Sequence, residues 1–177
     1  MDYGEYRWTQ ISDKTDRVAV LPLGSLEQHG HHLPLLTDSL ICREIVARAE
    51  ARLDDLALFL PVLWVGVSEH HTRFPGTVTV AQETYIQMLD EMMESLIGNG
   101  FTRILLLNAH GGNVVPGKAA LYRVQMRHRD RRELWLAFAT WYQLAAPQIA
   151  ELSDLEQDHV THACELETSM VLRLRAE

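Results

Sequence analysis

The stretch "TRILLLN", residues 102–108, decides the fold, because its apolar run has the length of a strand and predicts the best-defined strand of the chain. Outward from it, "RVAVLPLG" (17–24) is a second apolar run that ends at a glycine, as expected for a strand buried on both faces. The segments "LALFLPVLWVG" (56–66), which Pro61 interrupts, and "ELWLAFAT" (133–140) predict two further strands.

Amphipathic helices are predicted between these strands. Residues 82–100 carry an apolar stripe and end near a glycine, which indicates a helix. Further helices are expected from about Asp38, an N-cap candidate, from about Asn113 and from about Cys164. The helix after Asp38 is supported by apolar residues at helical spacing, namely Leu40, Ile41, Ile45, Val46 and Ala49. Strands that alternate with helices predict an α/β fold, a three-layer α/β/α sandwich with a mainly parallel central sheet.

Length and charge limit the class of protein. A chain of 177 residues is long enough for one domain with a sizeable core, so we expect residues 1–177 to form a single domain. The formal net charge of -8 would repel nucleic acid and anionic membrane surfaces, and we expect neither as a partner. The basic run at 123–132 follows an amphipathic segment and is interpreted as a solvated helix end.

The N-terminal segment and the cysteines indicate the compartment. Residues 1–10, "MDYGEYRWTQ", lack the basic and apolar runs of a signal peptide, and no apolar stretch approaches the length of a membrane span. Two cysteines are too few for a disulfide framework and suggest a reducing environment. We therefore expect a cytoplasmic protein.

Potential metal ligands are concentrated in "GSLEQHGHHLPLLTD" (24–38), after a predicted strand. Glu27 and His29 are two residues apart, so in an extended segment their side chains point to the same side and reach a common point. Asp38 adds a third donor, and its two oxygens could bridge two cations. These residues favour a metal site, and the alternative that they leave open is a solvated loop with an N-capping aspartate.

A fourth candidate ligand follows the central strand. "NAHGGN" (108–113) places His110 before two glycines that permit close backbone approach, although a tight strand-to-helix turn alone would also need the glycines. The overlapping segment "GNVVPGKA" (112–119) nearly spells a phosphate-binding loop. Ala119 lacks the hydroxyl that would hold magnesium, and Pro116 removes a backbone donor, so we do not expect nucleotide binding.

Near the C-terminus, "HACELETS" (162–169) brings His162, Glu165 and Glu167 within one or two helical turns. The alternative interpretation is a charged helix start, where acidic residues favour the positive end of the helix dipole. Glu165 could orient His162, or it could be a surface residue. Cys164 is interpreted as a packed cysteine rather than a nucleophile.

Together with "FPGTVTV" (74–80), whose end is a short β-branched run, these three segments resemble the creatininase family of metal-dependent amidohydrolases over most of the chain. The resemblance implies two divalent ions, zinc and/or manganese, with iron also possible. The implied ligands are Glu27, Asp38 and His110 for one ion, and His29, Asp38 and Glu167 for the other. Glu167 would replace the glutamate that the creatinine-hydrolysing member has where this chain has Gly112.

The resemblance also implies roles for other residues. His162 would move protons, with Glu167 as a further catalytic residue, and Trp141, Ser68 and His71 would contact the substrate. The sequence departs from the family pattern at His31, where proline is usual, and at Cys164, where glycine is usual. Members of the family continue for a further strand and helices, so this domain is expected to lack the C-terminal portion.

The resemblance implies a dinuclear metal-dependent hydrolase that cleaves the carbon–nitrogen amide bond of a small molecule, of the cyclic amide or formamide type. Creatinine itself is a doubtful substrate because a second tryptophan associated with its binding is missing before His162. One alternative is a peptidase of the mycofactocin precursor type, and another is a non-catalytic, metal-stabilised scaffold. A homo-oligomer is expected because the family forms ring-like assemblies.

Overall fold

Four parallel strands form the central sheet in the computed structural model, which describes residues 3–157 and 159–175. The strands are β1 (Val18–Leu23), β2 (Ala57–Phe59), β3 (Arg103–Asn108) and β4 (Trp135–Thr140). Their order across the sheet is β2-β1-β3-β4. The predicted central strand is confirmed: β3 pairs with β1 on one side and with β4 on the other.

Helices connect the strands as the apolar periodicity predicts. The helices of the described residues are α1 (Trp8–Ile11), α2 (Thr37–Leu53), α3 (Gln82–Gly98), α4 (Val114–Arg127), α5 (Trp141–Leu144), α6 (Ala146–Ala150) and α7 (Glu165–Leu174). Single 3-10 turns occur at Tyr3–Glu5, Ser12–Lys14, Glu69–His71 and Gly111–Asn113. None of the helices in the described residues is both long and apolar enough to cross a membrane.

Successive residues of each strand face opposite sides of the sheet, and both sides carry helices. On the first side, Leu21 and Leu106 pack with Leu89 of α3 and Val124 of α4 in the larger core cluster. Burial of each leucine contributes about 1.5–3 kcal/mol relative to an exposed position. The helices on this side therefore hold β1 and β3 in place.

The second side of the sheet is covered by α2, and the predicted three-layer architecture is confirmed. Val20 and Leu107 pack there with Ile45, one of the residues on the predicted apolar stripe. Next to α2, an apolar groove of about 640 Å³ remains between the helix, the sheet and α5. Trp141 lines this groove.

One predicted strand is shorter in the structure than the sequence indicates. The strand predicted at 56–66 is regular only in β2, because Pro61 has no N–H to donate and interrupts the ladder, which then continues as a single bridge at Leu63. The β-branched run at 77–80 forms isolated bridges through Val78 and Thr79.

The order of the strands creates a switch point at the centre of the sheet. From β1 the chain moves outward to β2, and it then crosses back over β1 to β3 and β4. The loops after β1 and β3 therefore leave neighbouring strand ends in opposite directions and open a crevice between them. Ligands of open α/β sheets bind in such a crevice.

Candidate metal centre

A cavity of about 450 Å³ lies at the carboxyl ends of the strands, where the loops after β1, β2, β3 and β4 and the start of α7 converge. Six of the predicted site residues line it: Glu27, Asp38, His71, His110, His162 and Glu167. His29 is fully buried directly behind the cavity, with its ring 4.3 Å from that of His162. The structure thus brings together side chains from four segments of the sequence.

Asp38 occupies the middle of this cluster and is not the N-cap predicted from its position. The helix begins one residue earlier, at Thr37, whose backbone N–H and hydroxyl both donate to the carbonyl of Pro34. The Asp38 side chain turns inward instead, where the hydroxyl of Ser25 donates to Oδ2 at 2.7 Å. Gly24 permits this approach, since a Cβ there would lie 2.3 Å from Oγ of Ser39.

The two oxygens of Asp38 face two different histidines. Oδ2 lies 2.9 Å from Nδ1 of His110, and Oδ1 lies 3.3 Å from Nε2 of His29. A carboxylate in this position can place one oxygen in each of two neighbouring coordination spheres.

The other ring nitrogen of each of these histidines is held by a backbone carbonyl. Nδ1 of His29 donates to the carbonyl of Glu27 at 3.1 Å, and Nε2 of His110 donates to the carbonyl of Val67 at 2.9 Å. These hydrogen bonds direct Nε2 of His29 and Nδ1 of His110 towards Asp38. This is the arrangement by which backbone groups orient metal-ligating histidines.

Glu27 supplies evidence that the cluster fits a cation. Its side chain is 1% exposed, and Oε1 lies 3.2 Å from Nδ1 of His110. Oε2 is also buried, yet among the described residues it has no hydrogen-bond partner, and the nearest basic atoms are Nε2 of His71 at 3.9 Å and Nε2 of His70 at 4.0 Å. A buried, unpartnered carboxylate oxygen is costly, and a divalent cation would satisfy it.

Three groups of donor atoms in the described chain are close enough to share an ion, and Glu27 belongs to all of them. The groups are Glu27–His29–Asp38, Glu27–His70–His110 and Glu27–His71–His162. Glu167, predicted as a ligand, is 7% exposed and lines the cavity, but it belongs to none of these three groups. Its role as a ligand stays a prediction.

The charges of the cluster are strongly coupled. Burial alone would lower the pKa of His110, but hydrogen bonds to Asp38 and Glu27 outweigh this effect and raise it to about 10. Burial opposes ionisation of Asp38, yet the same contacts with His110 and His29 hold its pKa well below the usual range. Burial and the charge of Asp38 raise the pKa of Glu167 to about 7. A proton on His110 therefore balances the carboxylates, and a bound cation would displace it.

This coupling predicts how stability depends on pH after metal is removed with a chelator. The pKa of His110 rises from 6.5 to about 10 in the folded chain, so its protonation stabilises the fold fully below about pH 6.5 and this contribution is lost as the pH rises towards 10. The melting temperature of chelator-treated protein, followed by circular dichroism, should therefore fall across this range. His110→Gln should flatten the dependence, and an equally steep fall in that variant would contradict the assignment.

His162 and His71 form a separate pair that Gln28 bridges. The Gln28 amide is oriented by Gly30, whose N–H donates to Oε1 at 2.9 Å. Nε2 of Gln28 then donates to Nδ1 of His71 at 2.7 Å and to Nε2 of His162 at 2.9 Å. A neutral ring that accepts a hydrogen bond at one nitrogen carries its proton on the other. The proton is therefore on Nε2 in His71 and on Nδ1 in His162, where Nδ1 lies 3.5 Å from Oε1 of Glu27.

The start of α7 fixes the position of His162. Ala163 has a φ of 51°, a left-handed conformation that residues other than glycine rarely adopt. Cys164 is buried at the N-cap of α7, in agreement with a packed cysteine, and its N–H donates to Oε2 of Glu167 at 3.2 Å. The idea that Glu165 orients His162 receives no support, because its Oε2 instead accepts hydrogen bonds from the backbone of 156–157.

The predicted substrate contacts take up different positions. His71 lines the cavity, whereas Ser68 is fully buried behind it, with Oγ 3.3 Å from Nε2 of His110. Trp141 lies in the apolar groove, and it is the neighbouring Tyr142 that lines the cavity. Substrate binding by Ser68, His71 and Trp141 stays a prediction.

Sequence reasoning did not identify four residues that shape the site: Gln28, His70, Asn113 and Tyr142. Asn113 was assigned only to a helix start, but its buried amide joins two loops by donating to the carbonyl of Gly24 and accepting from the N–H of Val67. The doubled histidine of "SEHH" was the available signal for His70. No local pattern in the sequence singles out Gln28 or Tyr142.

Comparison with known proteins finds a matching family model and similar curated proteins. The creatininase family model, described as creatinine amidohydrolase, matches residues 4–177. The mycofactocin precursor peptide peptidase of Mycolicibacterium smegmatis (strain ATCC 700084 / mc(2)155) is 32% identical over 161 residues, covering 89% of this chain and 58% of that protein. The creatinine amidohydrolase of Pseudomonas putida is 30% identical over 118 residues, covering 62% of this chain and 45% of that protein.

The fold is also similar to a solved structure. The crystal structure of a creatinine amidohydrolase (creatininase) superposes with a TM-score of 0.85 at 25% identity, covering 98% of this chain and 72% of that one. The chain spans about half the length of the curated relatives that it matches.

Proposed function

Because this chain belongs to the creatininase family, we propose that it is a dinuclear metal-dependent hydrolase that cleaves a carbon–nitrogen amide bond of a small molecule. The observation that carries the proposal is the position of Asp38, whose two oxygens face His110 and His29 separately. A single carboxylate between two oriented imidazoles is suited to hold two ions side by side.

The proposed ligands divide between two positions. Glu27, Asp38 and His110 would hold one ion, and His29, Asp38 and Glu167 would hold the other. Support for the first position is the unpartnered, buried Oε2 of Glu27. Support for the second is the hydrogen bond that orients Nε2 of His29 towards Asp38.

When bound, the two cations would lower the pKa of a water molecule and polarise the amide carbonyl. Hydrolysis also requires a proton on the departing nitrogen, and His162 is the group at the cavity wall that can supply it. Nδ1 of His162 lies 3.5 Å from Oε1 of Glu27 and faces the ligand cluster, so the doubly protonated ring would donate from this atom and return to its neutral form. Burial and the neighbouring His29 lower the pKa of His162, so the protonated ring gives up its proton more readily than an ordinary histidine does.

Glu167 is proposed as a ligand and as a participant in proton transfer. Its carboxyl is buried at the cavity wall, and its pKa is raised to about 7. A carboxyl with such a pKa changes protonation state near neutral pH, as general acids and bases do. A cation at His29 and Asp38 would favour its ionised form.

The mixed carboxylate and imidazole donors suit zinc and manganese, and iron remains a third candidate. Two solved creatininases with this fold are described as a manganese form and as a Zn-Zn form. We propose zinc and manganese as the ions to test first.

A second candidate function is a peptidase that trims a short peptide. It is favoured by the similarity to mycofactocin precursor peptide peptidases, which extends over 89% of this chain in one case. The cavity also has accessible walls, since the side chains of His70 and His162 are 55% and 35% exposed. An extended substrate needs an open groove of this kind, whereas a small ring is usually enclosed.

The non-catalytic scaffold is less well supported. A structural metal site is coordinatively closed, whereas a hydrolytic one retains a position for water or substrate. Here the donor atoms of Glu27, Asp38 and His110 border a cavity large enough for a small molecule.

We expect hydrolysis that depends on metal when chelator-treated protein is reconstituted with zinc or manganese and assayed against lactams, formamides and short peptides. Release of amine or free carboxylate should appear with one of these classes and disappear on renewed chelation. Turnover of lactams or formamides alone would support the small-molecule function, and turnover of peptides alone would support the peptidase. Full metal loading with no turnover of any class would favour the scaffold.

A further inference from the structure

We propose that His70 is a metal ligand, and that it completes the coordination of the ion held by Glu27 and His110. The inference deepens the proposed function, on which it rests for the presence of an ion. Sequence analysis and the resemblance assigned no role to His70, which lies in the 3-10 turn Glu69–His71 after β2.

The unsatisfied oxygen of Glu27 is the first observation. Oε1 of this carboxylate has partners in His110 and His162, whereas Oε2 is buried without a hydrogen bond among the described residues. Nε2 of His70 approaches Oε2 to 4.0 Å. This separation is too long for a hydrogen bond but falls within about 4.2 Å, the reach of two metal–ligand bonds of about 2.1 Å each.

The second observation distinguishes His70 from its neighbour His71, whose Nε2 is equally close to Oε2 at 3.9 Å. Gln28 donates to Nδ1 of His71, so the neutral ring carries its proton on Nε2 and offers no lone pair there. The same argument removes His162, whose Nε2 accepts from Gln28. Three histidines outside the predicted ligand set lie around Glu27, namely His70, His71 and His162. Among the described residues, His70 is the one of the three that does not accept a hydrogen bond from Gln28.

The loop that carries His70 is held firmly against the site. The N–H of Ser68 donates to Oγ1 of Thr79 at 2.7 Å, and the N–H of Val67 donates to Oδ1 of Asn113 at 3.0 Å. Gly112 leaves room for this course, because a Cβ there would lie 2.0 Å from the carbonyl oxygen of Val67 and 3.2 Å from Cε1 of His70. The ring of His70 also lies parallel to that of His110, at 6.1 Å between centroids.

A further imidazole changes which metal the site prefers. Glu27, His70 and His110 offer one oxygen and two nitrogen donors within reach of one another. Nitrogen donors favour zinc over manganese, which prefers oxygen ligands. The position nearest His70 should therefore select zinc when both metals are available.

The experiment compares zinc binding by the full chain and its His70→Ala, His71→Ala and His31→Ala variants. Protein stripped with a chelator is titrated with zinc in competition with a chromophoric chelator, and cobalt is added separately to record its visible absorption. His70→Ala should weaken one of two zinc equivalents by about tenfold or more, since even partners outside the coordination sphere are worth about 10–100-fold in metal affinity. It should also alter the cobalt spectrum. His71→Ala and His31→Ala, the latter an exposed histidine, should bind zinc as the parent does.

Far-ultraviolet circular dichroism checks that each variant folds, which the half-exposed position of His70 favours. Parent-like zinc affinity and cobalt spectrum in His70→Ala would overturn the assignment, as would an equal loss in His71→Ala. If the parent chain binds two ions and His70→Ala binds zinc with unchanged affinity, the role of His70 is rejected but the proposed function stands. A parent chain that binds no zinc or cobalt would reject both proposals.

Discussion

Replacing Asp38 by alanine is expected to remove both metal ions together. Its two oxygens face His110 and His29 at 2.9 and 3.3 Å, so the change removes one ligand from each of the two proposed ions. The buried Glu27 carboxylate would then lack a cation to balance its charge. Turnover should fall by about 10³-fold or more, because electrophilic stabilisation by a metal is worth several kcal/mol and every 1.36 kcal/mol is a factor of ten. Elemental analysis of the purified protein measures the ions, and the amide assay measures turnover.

The control must separate loss of metal from loss of structure. Asp90 is a matched residue, since its carboxylate is also buried but pairs with Arg127 at 2.7 Å, away from the cavity. Asp90→Ala should lower stability and retain both ions. Asp38→Asn preserves the shape of the side chain and tests the charge alone. Full occupancy of two ions in Asp38→Ala would rule out the bridging role.

His162→Ala is expected to lose turnover while keeping its metal. Its Nδ1 lies 3.5 Å from Oε1 of Glu27, but in the neutral ring Nδ1 carries the proton and Nε2 accepts from Gln28, so neither nitrogen offers a free lone pair to an ion. Loss of general acid–base catalysis costs about 10²–10⁴-fold in rate. We therefore expect a decrease of this size in kcat, measured on protein whose metal content equals that of the parent.

Added imidazole offers a direct check on this role. It should restore part of the activity of His162→Ala, since the missing ring leaves a space at the exposed cavity wall. His128 is a suitable control, because it is a partly buried histidine that pairs with Glu94 at 2.9 Å outside the site. His128→Ala should turn over as the parent does. Parent-like turnover in His162→Ala would remove the residue from the mechanism.

The apolar pattern of the sequence was sufficient to predict the layers of the fold. Residues 104–107 are apolar throughout, and they lie in β3, the strand that pairs on both sides at the centre of the sheet. The same pattern overestimated the strand at 56–66, where a single proline at position 61 ends the regular ladder. Hydrophobicity predicted burial correctly for β2 but not for Leu56 and Trp64, which are exposed, and the missing N–H of Pro61 decided where the regular strand ends.

The order of strands and motifs also predicted which side chains meet. Glu27, His29 and His110 follow β1 and β3, and parallel strands end at the same edge of the sheet. The position of Asp38 at a helix start suggested capping as an alternative, and only the packing of α2 against Gly24 and Ser25 turned its carboxylate into the cluster.

The sequence by itself determined the succession of strands and helices and predicted that Glu27, His29, Asp38 and His110 come together, because periodicity and residue type act over a few neighbouring positions. The tertiary structure alone decided which nitrogen of each histidine is free and why His70 differs from His71. Those properties depend on single hydrogen bonds between distant segments, such as that from Gln28 to His162, 134 positions apart in the chain. Such partners are selected only when the whole fold brings them together.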